Sequence, residues 1–200
     1  MLEALTGTGL AGAAGLNAYI PLLALGLLDR YTSLITLPPS WSWLSNGWVM
    51  LILAFLLAIE VVADKVPVLD SANDVVQTIV RPTAGGLAFG AGSASQTVTV
   101  SDPASFFHSG QWVPIVVGIL MALGVHGVKA TARPLINTFT LGFGAPVVST
   151  VEDAASATLS VIAIIIPLLV LGFVVFFFWF AWWAFTRRRR AKARRAAQTV

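Results

Sequence analysis

The chain has no cysteine and only two histidines, His108 and His126. The first absence removes disulfides, thiol nucleophiles and cysteine-held metals. Charged residues are also scarce, at 10% of 200, against about a quarter in a soluble domain. A surface that poor in charge does not face water everywhere. No phosphate-binding loop, no GxGxxG opening a helix after a strand, no HExxH and no nucleophile elbow is present. Neither an enzyme nor a bound cofactor is therefore expected.

What the chain has is apolar sequence, 57% of its residues. A bilayer core of about 30 Å takes roughly 20 apolar helical residues. Six stretches fit or come near: 5–28, 47–63, 74–92, 112–128, 134–148 and 157–185. The third carries Arg81-Pro82, and the fifth is short and glycine-rich. The reading is an all-α, polytopic helical membrane bundle of about six transmembrane segments, one or two of them broken or re-entrant. Residues 1–185 form the transmembrane domain and residues 186–200 a basic cytoplasmic tail. Five spans with a re-entrant segment is the alternative.

Charge placement orients this bundle. Seven of the 12 basic residues lie in the tail, namely Arg187, Arg188, Arg189, Arg190, Lys192, Arg194 and Arg195. The positive-inside rule makes the tail cytoplasmic. Counting back through six spans puts Lys129, Arg133, Lys65 and the N-terminus inside, and leaves the loop 93–111, which has no Lys or Arg, outside. Arg30 is the exception. Trp179, Trp182 and Trp183 sit just before the tail, where an aromatic belt belongs. The expected location is the inner (plasma) membrane. Expected partners are the bilayer, anionic lipid at the tail and a second copy of the chain, with no nucleic acid.

Polar residues inside apolar runs are costly and face a bundle interior. Glu60 and Asp64, followed by Lys65, stand four apart and share one helix face. Two carboxylates so placed hold a proton or cation, or pair with a base from another helix. Asp74, Gln77, Thr78, Arg81 and Gly85 line one face of the third span, with Pro82 predicted to kink it. Gly118, Ala122, His126, Lys129, Arg133 and Asn137 line a face of the fourth, and Arg133-Pro134 predicts a bend or stop. Glu60, Asp64, Asp74, Arg81, His126, Lys129 and Arg133 are expected to meet in one bundle. Ser71…Asp74 and Ser149…Glu152 read as capping boxes. Gly7, Ala11 and Gly15, and Gly86 with Gly90, read as close-packing stripes.

A weak internal repeat relates Gly15-Leu16-Asn17-Ala18 to Gly127-Val128-Lys129-Ala130, and residues 67–74 to 146–153. Repeats and broken helices occur together in transporters. The leading functional reading is thus a small ion or solute transporter or channel with an intramembrane carboxylate site. The rival is a structural or accessory membrane protein whose buried charges lock its helices. A membrane enzyme acting on lipid stands third.

The run Gly15–Gly26, the string Glu60, Asp64, Lys65, Pro67, Asp70, Asp74, Arg81, Pro82, and His126, Lys129, Arg133, Asn137 with Glu152-Asp153 together resemble an uncharacterised bacterial family. Its members are small multi-pass membrane proteins, catalogued as a domain of unknown function. The likeness covers roughly residues 5–165 and implies an inner-membrane location, with no catalytic residue to carry over. Separately, Glu60…Asp64-Lys65 is similar to the Glu-x-Gly-Asp-Lys motif of a cation-exchanger family, with one extra residue and no glycine.

Overall fold

The computed structural model describes residues 1–98, 112–140 and 143–197, with side chains described outside 67–72, 137, 181 and 184–197. Among the described residues the chain is all-α apart from one two-residue strand pair. The helices are α1 (Leu2–Leu16), α2 (Tyr19–Tyr31), α3 (Gly47–Ala63), α4 (Pro67–Ala94), α5 (Trp112–Thr140), α6 (Ala145–Ile165) and α7 (Leu168–Ala197). Strands β1 (Ile35–Thr36) and β2 (Gln96–Thr97) pair antiparallel, Ile35 with Thr97 and Thr36 with Gln96. The chain forms two compact units, Met1–Val170 and Leu171–Val200.

Asn17 decides the first turn of the larger unit. Its backbone is extended (φ −143°, ψ 125°), which ends α1. Its Oδ1 accepts the backbone N–H of Tyr19 at 3.1 Å and of Ile20 at 3.3 Å, which starts α2. Asparagine favours such caps because its short side chain competes for nearby N–H groups. Pro21 follows inside the first turn of α2, where its missing N–H costs no hydrogen bond.

The chain reverses at that point. A Cβ on Gly7 would meet Phe89, late in α4, and one on Gly15 would meet Val125, midway along α5. Thus α1 runs from the strand-pair end of the unit toward the opposite end. Tyr19 then lies beside Glu60 near the end of α3, while Gly26 meets Leu44 and Met50, which precede and begin α3. Thus α2 runs back. Residues 5–28, expected as one span, are two antiparallel helices joined at Asn17.

Other boundaries also differ from expectation. The stretch 134–148 is the end of α5 and the start of α6, and 157–185 is split at Ile166-Pro167. Proline disfavours helix in the residue before it, and Ile166 takes φ −136°, ψ 68°. At Pro82 and Pro134 the helices continue instead of stopping. An interior proline costs roughly 3 kcal/mol. Packing of both helices on α1 and on each other offsets that cost. The two capping boxes are not caps. Pro67 and Pro146 occupy the first turns of α4 and α6, so Ser71 and Ser149 already lie inside helix.

Small residues let α1 stand at the centre. Leu10, Ala11, Ala13 and Ala14 are fully buried, and α4, α5 and α6 surround them. Gly85 and Gly118 bring the α4 and α5 backbones into contact: a Cβ on Gly118 would strike the Gly85 carbonyl oxygen. Ser156 adds a polar tie, donating to the Ala13 carbonyl at 2.9 Å. The smaller unit, taken by itself, is a helix whose rings stack along its length, as Phe176 with Phe180 and Phe180 with Trp183. Of the outside loop expected at 93–111, residues 99–111, with His108, lie outside the described residues, as do the side chains of the basic tail.

Candidate functional site: a buried charge network

Glu60 and Asp64 do lie on one side of α3, but their surroundings differ. Glu60 is 1% exposed, one turn before the helix ends; Asp64 is the residue after its end. Arg81, fully buried on α4, donates to Glu60 Oε1 from Nε at 3.3 Å and from Nη2 at 2.8 Å. Its Nη2 also stands 3.6 Å from Asp64 Oδ2.

Asp64 is the hub. Its Oδ2 accepts from Lys129 Nζ at 3.1 Å and from Arg133 Nη2 at 2.8 Å. Its Oδ1 accepts from Asn73 Nδ2 at 2.7 Å. Lys129 and Arg133 are four apart on α5, so both point the same way. Glu152 of α6 closes the set, its Oε2 lying 2.9 Å from Lys129 and 2.6 Å from Arg133. Burial would raise the Asp64 pKa, but Lys129, Arg133 and Arg81 outweigh that and hold it at about 2.

Lys129 also donates to the Leu16 carbonyl at 3.0 Å, which lies at the C-terminal end of α1. A cation there meets the negative end of the helix dipole and satisfies a carbonyl without an intrahelical partner. Beside it, Asn17 Nδ2 donates to Asp153 Oδ1 at 2.9 Å. The turn between α1 and α2 is therefore fastened to α5 and α6.

His126 extends the network along α4. Arg81 Nη1 lies 3.1 Å from His126 Nδ1 and Thr78 Oγ1 lies 3.1 Å from Nε2. A guanidinium only donates, so Nδ1 must accept. The ring is then neutral with its proton on Nε2, directed at Thr78, whose hydroxyl donates to the Asp74 carbonyl at 2.8 Å.

Of the expected residues, Glu60, Asp64, Arg81, His126, Lys129 and Arg133 meet in this network. Lys65 sits at its rim, donating to the Val61 carbonyl at 3.3 Å and lying 4.0 Å from Asp153. Asp74 lies partly buried within the field of Arg81 and Lys129, without a bridge to either among the described residues. Asn17, Asn73, Glu152 and Asp153 also belong to the site; the sequence marks them as repeat or cap residues and, for Asn17, Glu152 and Asp153, as part of the family resemblance. A polar side chain in an apolar run, as Asn17 is, was the signal available. Among the described residues no three His, Cys, Asp or Glu side chains could hold a metal ion.

No curated protein and no solved structure matches this chain. A family does, over residues 4–187, and it includes every residue of the network. The chain belongs to the family described as Domain of unknown function (DUF4126).

Proposed function

We propose that the protein is a multi-pass membrane protein whose buried charges lock a helical hairpin, α1 with α2, into the interior of the bundle. One observation carries the reading: the distribution of polarity is inverted. Arg81 and Glu60 are 0% and 1% exposed, while Phe55 on α3 and Ile79 on α4 are 66% and 75% exposed. Leu51, Val75, Leu120 and Val151 are exposed as well. Water does not favour that arrangement; lipid does. Two helices, α5 and α6, are long and apolar enough to cross a membrane. The shorter α3 and the first part of α7 are also apolar.

The strand pair supports an orientation. It holds residues 35–36 beside 96–97, so the segments after α2 and after α4 lie at one end. Arg81, Lys129 and Arg133 lie toward the other, the side that the positive-inside rule makes cytoplasmic. At 15 and 13 residues, α1 and α2 are about 22 and 20 Å long, short for a bilayer core. The reading is five crossings, α3 to α7, preceded by a hairpin that enters from the outer side. The N-terminus is then outside and the basic tail inside, where it meets anionic lipid. This replaces the arrangement with both termini cytoplasmic, because α1 and α2 run in opposite directions.

The chain lacks cysteine, so single-cysteine labelling tests this directly. Leu2→Cys and Ser45→Cys should react with a membrane-impermeant maleimide in intact cells, and Ala197→Cys only after permeabilisation. Protection of Leu2→Cys together with Ala197→Cys would return the six-span arrangement. A second reading, a small-ion transporter or channel, is favoured by two buried oxygens, Glu60 Oε2 and Gln77 Oε1, that have no hydrogen-bond partner among the described residues. Ion flux into proteoliposomes, abolished by Glu60→Gln, would support it; its absence leaves the lock alone.

A further inference from the structure

The ion pairs saturate Asp64 but not Glu60. Both hydrogen bonds from Arg81 end on Glu60 Oε1, and Oε2 is buried with no hydrogen-bond partner among the described residues. Gln77 Oε1 is likewise buried without a partner, on a side chain 2% exposed. Gln77 and Arg81 are four apart on α4, so they share the face that reaches Glu60. The Tyr19 phenol meets the Gln77 amide and stands within the fields of Glu60 and Arg81. Two buried acceptors without a partner among the described residues thus lie on the faces of α3 and α4 that meet at the Glu60–Arg81 pair, with the Tyr19 phenol of α2 in the field of that pair. A buried acceptor without a donor is costly, so a site that keeps two is built to receive something positive or donating.

The charge balance points the same way. Among the described side chains, five carboxylates, Glu60, Asp64, Asp74, Glu152 and Asp153, and four cations, Lys65, Arg81, Lys129 and Arg133, stand around the network. With His126 neutral, one negative charge is in excess. All the free acceptors are oxygens, the donor type that hard cations prefer.

We propose that Glu60 Oε2 and Gln77 Oε1, flanked by the Tyr19 hydroxyl, bind one small monovalent cation, sodium or hydronium. The charged and titratable groups facing it are Tyr19 from α2, Asp64 from the end of α3, Asp74 and Arg81 from α4, and His126 and Lys129 from α5. The inference goes beyond the lock and takes from it only the position of Arg81. The carboxylate pair Glu60 and Asp64 is not the site, because Asp64 already accepts from Asn73, Lys129 and Arg133.

Thermal unfolding of the full chain in detergent tests it, with sodium chloride titrated against choline chloride at constant ionic strength. The comparison variant is Gln77→Leu, which removes one free oxygen and leaves the Glu60–Arg81 pair intact. The wild type should gain several degrees, saturably, in sodium, and the variant should not, while unfolding in choline no earlier than the wild type. If hydronium competes, the apparent sodium affinity falls about tenfold for each pH unit of acidification where the proton is the tighter ligand. A rise on acidification in choline, with no sodium response and lost in Gln77→Leu, assigns the site to hydronium alone. An equal response of wild type and variant to both sodium and pH overturns the proposal. Should Gln77→Leu fail to fold, Tyr19→Phe replaces it, with a weakened sodium response expected and an unchanged one counting against the site. None of these outcomes bears on the lock, which Asp64 and its partners test separately.

Discussion

At the scale of single residues, the two carboxylates of α3 differ in what they tolerate. Asp64 balances Lys129, Arg133 and, at longer range, Arg81. Breaking a buried pair strands charges, so Asp64→Asn should cost about 3–5 kcal/mol in detergent unfolding. Glu60→Gln keeps an acceptor for Arg81 and should cost about 1–3 kcal/mol. Equal losses would mean that Asp64 is not the hub. Replacing both Glu60 and Arg81 by Met should cost less than the sum of the singles, because neither charge is left alone. Acid should act through Asp64. Its pKa is depressed from 3.8 to about 2, so its contribution is complete above 3.8 and is lost as pH falls toward 2. Asp64→Asn should therefore flatten that limb of the stability profile. For His126, nitrogen chemical shifts at neutral pH should report a proton on Nε2 alone; a doubly protonated ring contradicts the bond from Arg81.

At the scale of elements, glycines separate tight contacts from loose ones. Gly118→Ala would push a methyl group into the Gly85 carbonyl, and overpacking there should cost about 1–3 kcal/mol. Further along the same helix, a Cβ on Gly124 or Gly127 would meet no neighbouring atom of the described residues within 4 Å, so Gly124→Ala and Gly127→Ala should be neutral or stabilise by roughly 0.5–1 kcal/mol. Comparable gains at all three sites would show that helix propensity, not the α4–α5 contact, decides. Asn17→Ala removes the α2 cap, worth about 0.5–2 kcal/mol, and also a partner of Asp153. Its loss should therefore exceed that of Asn46→Ala, whose side chain caps α3 at Trp48 and reaches nothing else by a hydrogen bond among the described residues.

At the scale of the molecule, the apolar runs determined that this is a helical protein with more apolar surface than water favours. The ionisable residues within those runs marked the site, because their burial demands partners. Glu60, Asp64, Arg81, His126, Lys129 and Arg133 could be named for that reason alone. Their pairing could not: Arg81 chose Glu60, and Lys129 and Arg133 chose Asp64 and Glu152, through helix directions that local sequence does not encode. The same holds for the first apolar run. Residues 5–28 are largely apolar apart from Asn17, and the cap that Asn17 makes, together with the packing of Gly15 on Val125 and of Gly26 on Leu44, turns them into a hairpin. Periodicity reports which residues avoid water over a few turns of helix. The tertiary structure alone decided which helix runs up and which runs down, and so which charges face each other.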